Sequence, residues 1–236
     1  MILDSYKLYS VVVQLQYAEA YEIWDRAGTI SKKLSTIWPD ITTQKASPDQ
    51  QILRGKGVRI DTTIKKSTVT LTGEKSFDQR MIQRLKETFE VWREFLNLNE
   101  LERVSARSVY VKEFPSVKEA NAELFSLNLA RWPSSKVFDQ PMDADLNGLE
   151  IHYRFEDESS FAVLTLKAEE IVYEVELDPY FIAESEQKVK KSRLIIDFDR
   201  GLLGSVDASK FRMDEWIKGY QHILRRDIDK VITKQL

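Results

Sequence analysis

The sequence has 236 residues and a formal net charge of −3, and 42% of its residues are hydrophobic, enough to bury a sizeable core. It contains no cysteine, which excludes disulfides and thiolate metal sites and favours a reducing compartment such as the cytoplasm. No window approaches the roughly 18–20 apolar residues of a membrane-spanning helix, so we expect no membrane partner. The acidic balance argues against strong nonspecific binding to a phosphate backbone.

The chain opens with a predicted strand followed by a predicted helix. Residues 8–16 are rich in β-branched side chains, which favour strands. Between residues 18 and 38, apolar side chains recur near helical spacing, and the predicted buried stripe includes Tyr21 and Trp24. Pro39 is expected to end this helix.

A run of short strands and a second helix complete the first hundred residues. Gly55 and Gly57 interrupt the strands and indicate a bulge or a close approach of two backbones. Ser76 and Gln79 have capping-box spacing and predict the start of a helix whose apolar stripe runs through Leu96. The strands are predicted at residues 41–45, 51–64 and 67–73.

The same order of elements returns after residue 100. A β-rich stretch at 104–114 precedes a second capping box, Ser116 and Glu119, and a helix through Ala130. An amphipathic pattern from Met213 onward predicts a final helix. Strands are predicted between these helices at residues 149–155, 161–167, 171–177 and 193–198.

These elements predict an α+β fold of two similar β-α-β(n)-α halves, with antiparallel sheets and the helices packed on one face. The first half is expected to cover residues 1–100 and the second residues 101–236. No flexible linker separates them, so we expect a continuous sheet or a closely packed pair. Residues 1–100 hold 15 basic and 13 acidic side chains, and the remainder holds 20 and 25, which leaves room for a local basic face on the first half.

Basic side chains near the glycines and on the strand after residue 100 are candidates for contacts with nucleic-acid phosphates. The segment around Gly55 and Gly57 is not a P-loop, because the required lysine and hydroxyl spacing is missing and no helix follows it. A solvated hairpin is the simpler explanation, given the acidic balance of the whole chain. The candidate phosphate contacts are Arg54, Lys56, Arg59, Arg103 and Arg107.

Two carboxylates and one histidine are the weak candidates for a metal site. Asp197 and Asp199 are two apart on a predicted strand and therefore project from one face, as Mg²⁺ ligands or an acid–base pair would. His222 lies on the last predicted helix. Solvated strand-end acids and a structural histidine are the simpler explanation, so no catalytic residue, metal or cofactor is predicted.

The stretch around Arg103 and Arg107 resembles the central strand of a sporadically distributed bacterial family of uncharacterised proteins. Further similarity lies at residues 195–199 and at His222, whereas Ser108 and Tyr110 depart from the family pattern. The layout also resembles the tandem fold of the TATA-binding protein. The resemblance implies a noncatalytic protein, an accessory of a bacterial defence or toxin–antitoxin-type operon.

Three functions follow as hypotheses. The first is a protein-binding or adaptor module, with Trp132 and Pro133 in the central loop as the partner contact and an oligomer as a further option. The second is a nucleic-acid-binding protein that uses a basic sheet face. The third is a metal-dependent enzyme built on the two aspartates and the helical histidine.

Overall fold

The computed structural model describes residues 2–73, 77–129, 149–174 and 188–233. This part of the chain folds into nine strands, four α-helices and a short 3₁₀ turn at Ile2–Ser5. The helices are α1 (Ile23–Ile37), α2 (Gln79–Phe95), α3 (Val117–Ser126) and α4 (Met213–Thr233). The strands are β1 (Lys7–Gln16), β2 (Thr42–Ser47), β3 (Gln50–Gly55), β4 (Val58–Thr63), β5 (Lys66–Thr72), β6 (Glu100–Phe114), β7 (Glu150–Glu156), β8 (Ser160–Glu174) and β9 (Lys188–Asp207).

All nine strands belong to one antiparallel sheet in the order β2-β3-β4-β5-β1-β6-β9-β8-β7. The prediction of a mixed helix-and-sheet fold with antiparallel pairing is therefore confirmed. β1 and β6 are neighbours at the centre, and β2 and β7 form the two edges. No helix in the described part of the chain is long and apolar enough to cross a membrane.

The four α-helices pack against the same face of the sheet. Strand side chains alternate between faces, and antiparallel partners share a face, so the register identifies which residues point toward the helices. Each helix is joined to this face by a polar contact: Gln51 Nε2 to the Ala27 carbonyl (2.8 Å), Trp92 Nε1 to Thr62 Oγ1 (3.0 Å), Lys112 Nζ to Glu123 Oε1 (2.8 Å) and the Tyr220 hydroxyl to Ser108 Oγ (2.8 Å).

The core between the helices and the sheet is apolar, and two buried indoles are anchored in it by threonines. Trp92 is 1% exposed and donates to the hydroxyl of Thr62. Trp38 is 4% exposed and donates to the hydroxyl of Thr88 at 2.9 Å. A buried indole N–H without an acceptor would be costly, so these two threonines are required where the tryptophans sit.

The predicted buried stripe of the first helix is wrong in part. The helix begins at Ile23 and buries Ile23, Ile30 and Leu34, whereas Tyr21 and Trp24 are 48% and 57% exposed. Aromatic residues at roughly helical spacing fit the apolar pattern from the sequence alone. The tertiary packing instead uses the aliphatic positions on the neighbouring part of the helix.

The start of α2 also differs from its prediction. Asp78 is the N-cap, and its carboxylate accepts from the backbone N–H of Met81 at 2.7 Å. Gln79 is the first helical residue, so it is not the glutamine of a capping box, and Ser76 lies outside the described residues. An aspartate fills the same role as serine because its oxygen reaches the same free N–H.

The N-cap of α3 and the roles of Gly55 and Gly57 are as predicted from the sequence. Ser116 caps α3, its hydroxyl accepting from the backbone N–H of Glu119 at 3.2 Å. A Cβ at Gly55 would lie 2.9 Å from the Asp40 carbonyl oxygen, and Gly57 has φ of +72° in the turn between β3 and β4. The glycines therefore mark a close backbone approach, as predicted.

The strands of the last third are longer than the sequence indicated. The stretches at 161–167 and 171–177 were predicted as two strands, yet β8 runs unbroken through Glu174. The strand predicted at 193–198 extends over 20 residues as β9. The charged stretches of both strands suggest solvated loops from the sequence alone. In the structure their charged side chains pair across the sheet, so the strands continue through these stretches.

Candidate functional site on the helix-free face

The opposite side of the sheet is the helix-free face, which we define by the row of cross-strand partners that contains Arg107. Strands lie about 4.8 Å apart, so a row across nine strands is about 38 Å long. From β2 to β7 the row consists of Thr42, Arg54, Arg59, Thr70, Val12, Arg107, Asp199, Val163 and Arg154.

The structure brings most of the predicted phosphate contacts to this face. Arg54, Arg59 and Arg107 lie in the same row, and Arg103 lies on the same face farther along β6. Lys56 is separate, because it sits in the turn after β3 and lines a small cavity with Trp38, Pro39, Asp40, Gly57, Val58 and Arg84.

One end of the helix-free face, formed by β2 to β5, is basic. We call it the basic region. Arg54 and Arg59 are direct cross-strand partners, and like charges in that position repel each other. Arg59 reaches Asp61 at 3.4 Å, with 48% of the arginine side chain exposed. The charged side chains that the register places here are Lys45, Arg54, Arg59, Asp61 and Lys66.

The other end, formed by β6, β9, β8 and β7, mixes both signs of charge, and we call it the paired region. Most of its cations contact a carboxylate on the same or the next strand, which leaves little unneutralised charge. The ion pairs are Arg107–Asp197, Arg154–Glu156, Arg193–Glu169 (2.5 Å), Lys167–Glu169 (2.7 Å) and Lys191–Glu113 (3.4 Å).

Arg107 and the two aspartates form the centre of the paired region. Arg107 holds Asp197 through two hydrogen bonds, one of them from Nε to Oδ1 at 2.8 Å. Burial raises the pKa of Asp199, and the cationic groups of Arg103 and Arg107 oppose that rise. Asp199 Oδ1 is buried without a hydrogen-bond partner.

In the neighbouring row of the helix-free face, three residues are stacked: Gly201, Phe161 and Arg103. Phe161 and Gly201 are cross-strand partners, and a Cβ on Gly201 would lie 2.4 Å from the phenyl ring and 2.7 Å from the Val104 carbonyl oxygen. Only glycine fits beneath this ring. The Arg103 guanidinium lies over the ring, 4.4 Å from its centroid, so Arg103 is already engaged by an aromatic side chain.

The metal-site candidates are not brought together. Asp197 and Asp199 share the helix-free face, as predicted from their spacing. His222 lies on α4, which packs on the opposite face through Tyr220. Within residues 2–73, 77–129, 149–174 and 188–233, no group of three or more histidine or carboxylate side chains is placed to hold a metal ion. Metal-dependent catalysis stays an untested hypothesis.

The predicted partner contact, Trp132 and Pro133, lies outside the described residues. A different aromatic pair is exposed instead: the rings of Tyr21 and Trp24 meet edge to face with centroids 5.2 Å apart. The helical spacing of these two residues suggested a core position, so the sequence did not indicate that they form part of an exposed site. The polar residues Glu19 and Glu22 beside them were the available signal that this turn faces solvent.

An open groove of about 790 Å³ lies between the helix-free face and Tyr21, whose ring in turn contacts Trp24. Gln16 and Lys66 line the groove from the end of the sheet, and Tyr21 lines it from the turn before α1. Glu19 joins its wall by accepting from the Tyr21 hydroxyl at 2.6 Å and by pairing with Lys65 at 3.0 Å. The helix-free face and the Tyr21–Trp24 pair therefore border one continuous surface.

No protein-family model matches this chain, and no curated protein matches it significantly.

Proposed function

We propose that this chain is a noncatalytic adaptor that binds another protein through the groove beside Tyr21 and the adjoining helix-free face. The observation that carries the proposal is the exposed Tyr21–Trp24 pair at the edge of that groove. Tyrosine, tryptophan and arginine dominate the binding energy of protein interfaces, and here all three occur on one surface.

The exposure of the aromatic pair is unusual within this molecule. Trp38 and Trp92 are buried with their indole N–H groups bonded, whereas Trp24 is 57% exposed. A tryptophan ring removed from water stabilises a complex through its large apolar area. Its position at the first turn of α1 gives it a rigid base, which lowers the entropy cost of binding.

The charges of the helix-free face support a protein partner over a uniform polyanion. In the paired region Arg107, Arg154 and Arg193 are each matched with a carboxylate. A surface with alternating signs is complementary to a protein surface that also carries both signs. Such complementarity sets the orientation of the partner while the aromatic pair supplies affinity.

Affinity purification from the native host tests the adaptor function. The tagged protein is expected to recover a stoichiometric partner, and Trp24→Ala is expected to reduce that recovery at least tenfold, because hot-spot tryptophans contribute roughly 2 kcal/mol or more. Phe155→Ala is the matched control, since Phe155 is 63% exposed but lies on edge strand β7, away from the groove.

Two results would oppose the adaptor function. Recovery of the tagged protein only as an isolated monomer would contradict it directly. Equal recovery of the partner with Trp24→Ala and with the parent protein would show that the aromatic pair is not the contact. Circular dichroism of both variants checks that the fold is retained.

We further propose that the chain consists of two β-α-β(n)-α halves, residues 1–100 and 101–236, and serves in the cytoplasm as an accessory of a bacterial defence or toxin–antitoxin-type operon. The central pairing of β1 with β6 supports the two halves, because each of these strands begins one of them. The operon assignment rests on the resemblance around Arg103 and Arg107, and the genes that neighbour this one test it.

Nucleic-acid binding is the second candidate, favoured by the basic region. Arg54 and Arg59 are adjacent like charges, and Lys66 lies on the same face. An anionic phosphate between such side chains would relieve their repulsion. Single-stranded nucleic acid would lie across β2 to β5, where threonines leave the surface open.

Fluorescence anisotropy with labelled single-stranded DNA and RNA at low salt tests this candidate. Binding is expected to weaken steeply with added salt, and a double variant, Arg54→Ala with Arg59→Ala, is expected to remove most of it. Arg154→Ala is the control, because Arg154 lies in the same row but is paired with Glu156. Absence of any anisotropy change at low salt would eliminate the candidate.

A further inference from the structure

A second cavity, of about 420 Å³, opens on the helix-free face at the end opposite the groove. This volume lies within the range typical of small-ligand sites. It lies where β1, β5, β6 and β9 come together, and its lining includes Tyr9, Val111, Lys7, Lys191 and Arg193. Val111 is 8% exposed and supplies an apolar floor.

A β-bulge gives the cavity its aromatic wall. The register between β1 and β6 shifts between Leu8 and Ser10, which leaves Tyr9 as the extra residue. Bulges of this kind redirect a side chain that regular alternation would place elsewhere. Tyr9 is 52% exposed, and the Arg193 guanidinium lies 5.4 Å from the centroid of its ring.

Arg193 is held firmly in this position. Its side chain is only 15% exposed, and its Nε donates to Glu169 Oε1 at 2.7 Å. The arginine therefore supports Tyr9 while Glu169 neutralises its charge. The exposed part of the tyrosine ring offers a surface on which a planar group stacks.

The remaining charges of the cavity favour an anion. Lys191 and Lys7 both line the cavity, and Glu113 is the carboxylate in the lining. The Lys191–Glu113 contact is long, at 3.4 Å, and both side chains are about half exposed, at 49% and 62%. Such a pair is weak and separates readily when an anion offers the lysine a better partner.

We propose that this cavity binds a small planar aromatic anion of mononucleotide size, with the ring stacked on Tyr9 and the anionic group between Lys7 and Lys191. The bulge turns Tyr9 toward the cavity, the tyrosine ring provides the stacking surface, and the two lysines provide the positive charge that such a ligand needs. The proposal does not depend on the adaptor function, because the cavity lies at the other end of the helix-free face from Tyr21.

Isothermal titration calorimetry with adenosine monophosphate tests the proposal, with adenosine and inorganic phosphate as separate titrants. The mononucleotide is expected to bind, and each half of it alone is expected to bind at least about tenfold more weakly, because stacking and charge act together. Equal binding of inorganic phosphate, or no heat with the mononucleotide, would overturn the proposal.

Variants locate the binding in this cavity. Tyr9→Ala is expected to weaken binding about fivefold through lost stacking, and Lys191→Ala about threefold through lost charge. Lys190→Ala is the matched control: the neighbouring lysine points to the opposite face and pairs with Glu170 at 3.0 Å. Equal losses with Lys190→Ala and Lys191→Ala would contradict the site.

A 5′-phosphorylated oligonucleotide distinguishes two sources of the same chemistry. Tighter binding than the mononucleotide, still sensitive to Tyr9→Ala, would identify the occupant as the end of a nucleic-acid strand. Equal or weaker binding would identify it as a free nucleotide. An oligonucleotide that binds regardless of Tyr9→Ala, while the mononucleotide does not bind, would refute the cavity as the site.

Discussion

The two ends of the helix-free face use arginine in different ways. In the paired region Arg107 donates two hydrogen bonds to Asp197, from Nε and from Nη2, and Arg103 covers the ring of Phe161. In the basic region Arg54 faces Arg59 across the strand pair, and among the described residues no ion pair joins Arg54 to a carboxylate. The first arginines are engaged in structure, whereas Arg54 remains available to a ligand and Arg59 keeps only a long contact with Asp61, at 3.4 Å.

This difference shows why residue type alone does not identify a binding surface. Both sets of arginines occupy equivalent positions on exposed strands, and three of them lie in one row. What separates them is the distribution of carboxylates on strands β9 and β8, which begin more than forty residues after β6 ends. Removal of an arginine that neutralises a carboxylate is therefore expected to cost stability, whereas removal of an arginine without such a partner is expected to cost little.

The largest expected effect is in the paired region, at Gly201. Gly201→Ala is expected to lower the free energy of unfolding by about 1–3 kcal/mol, because the new methyl group overlaps the Phe161 ring and the Val104 carbonyl. Chemical denaturation measures the loss. Gly219→Ala on α4 is the control: apart from its chain neighbours and the adjacent backbone of α4, no atom lies within 4 Å of the added Cβ, and a gain of about 0.5–1 kcal/mol is expected.

The second prediction compares one arginine from each region. Arg107→Ala is expected to cost about 1–2 kcal/mol, since it leaves Asp197, only 15% exposed, without its charged partner. Arg54→Ala is expected to change stability by less than about 0.5 kcal/mol, and it relieves repulsion with Arg59. Equal effects in urea denaturation would show that the two regions do not differ.

A smaller, pH-dependent effect is expected at Asp199. Burial raises the pKa of this carboxyl, so the folded state holds the proton to a higher pH than the unfolded chain does. Ionised Asp199 therefore destabilises the fold above its folded-state pKa, and that cost disappears as the pH falls below the unfolded value of 3.8.

Asp199→Asn tests whether the ionised carboxylate of Asp199 destabilises the fold. At pH 7 the variant is expected to melt about 1–2 °C higher than the parent protein, and the difference is expected to shrink toward pH 4. Asp61→Asn in the basic region is the control, with no such gain expected because its loss removes the partner of Arg59. A lower melting temperature for Asp199→Asn at pH 7 would contradict the account of the carboxyl.

The fold was largely predictable because its helices and strands have clear local signals. β1 is rich in valine, α2 has a wide apolar stripe, and Ser116 marks the start of α3. The lengths of β8 and β9 were not predictable, because their charged stretches are stabilised by cross-strand ion pairs such as Arg193–Glu169. Contacts between distant strands have no local signature in the sequence.

The candidate surface was predictable only in part. The sequence singled out Arg54, Arg59 and Arg107, but their common row depends on the register of nine strands. It missed Tyr21 and Trp24 because helical spacing indicates an apolar stripe without showing which side of the helix meets the sheet. Tyr9 was missed as well, since a bulge is invisible until the partner strand is known.

Site-specific photo-crosslinking in the native host tests the central claim, that the helix-free face is the surface that binds a protein partner. A photoreactive residue at Thr70, in the centre of the arginine row, is compared with one at Lys218, exposed on α4. We predict a crosslinked protein partner from Thr70 and none from Lys218. Crosslinking from Lys218 alone would place the partner on the helices and contradict this account.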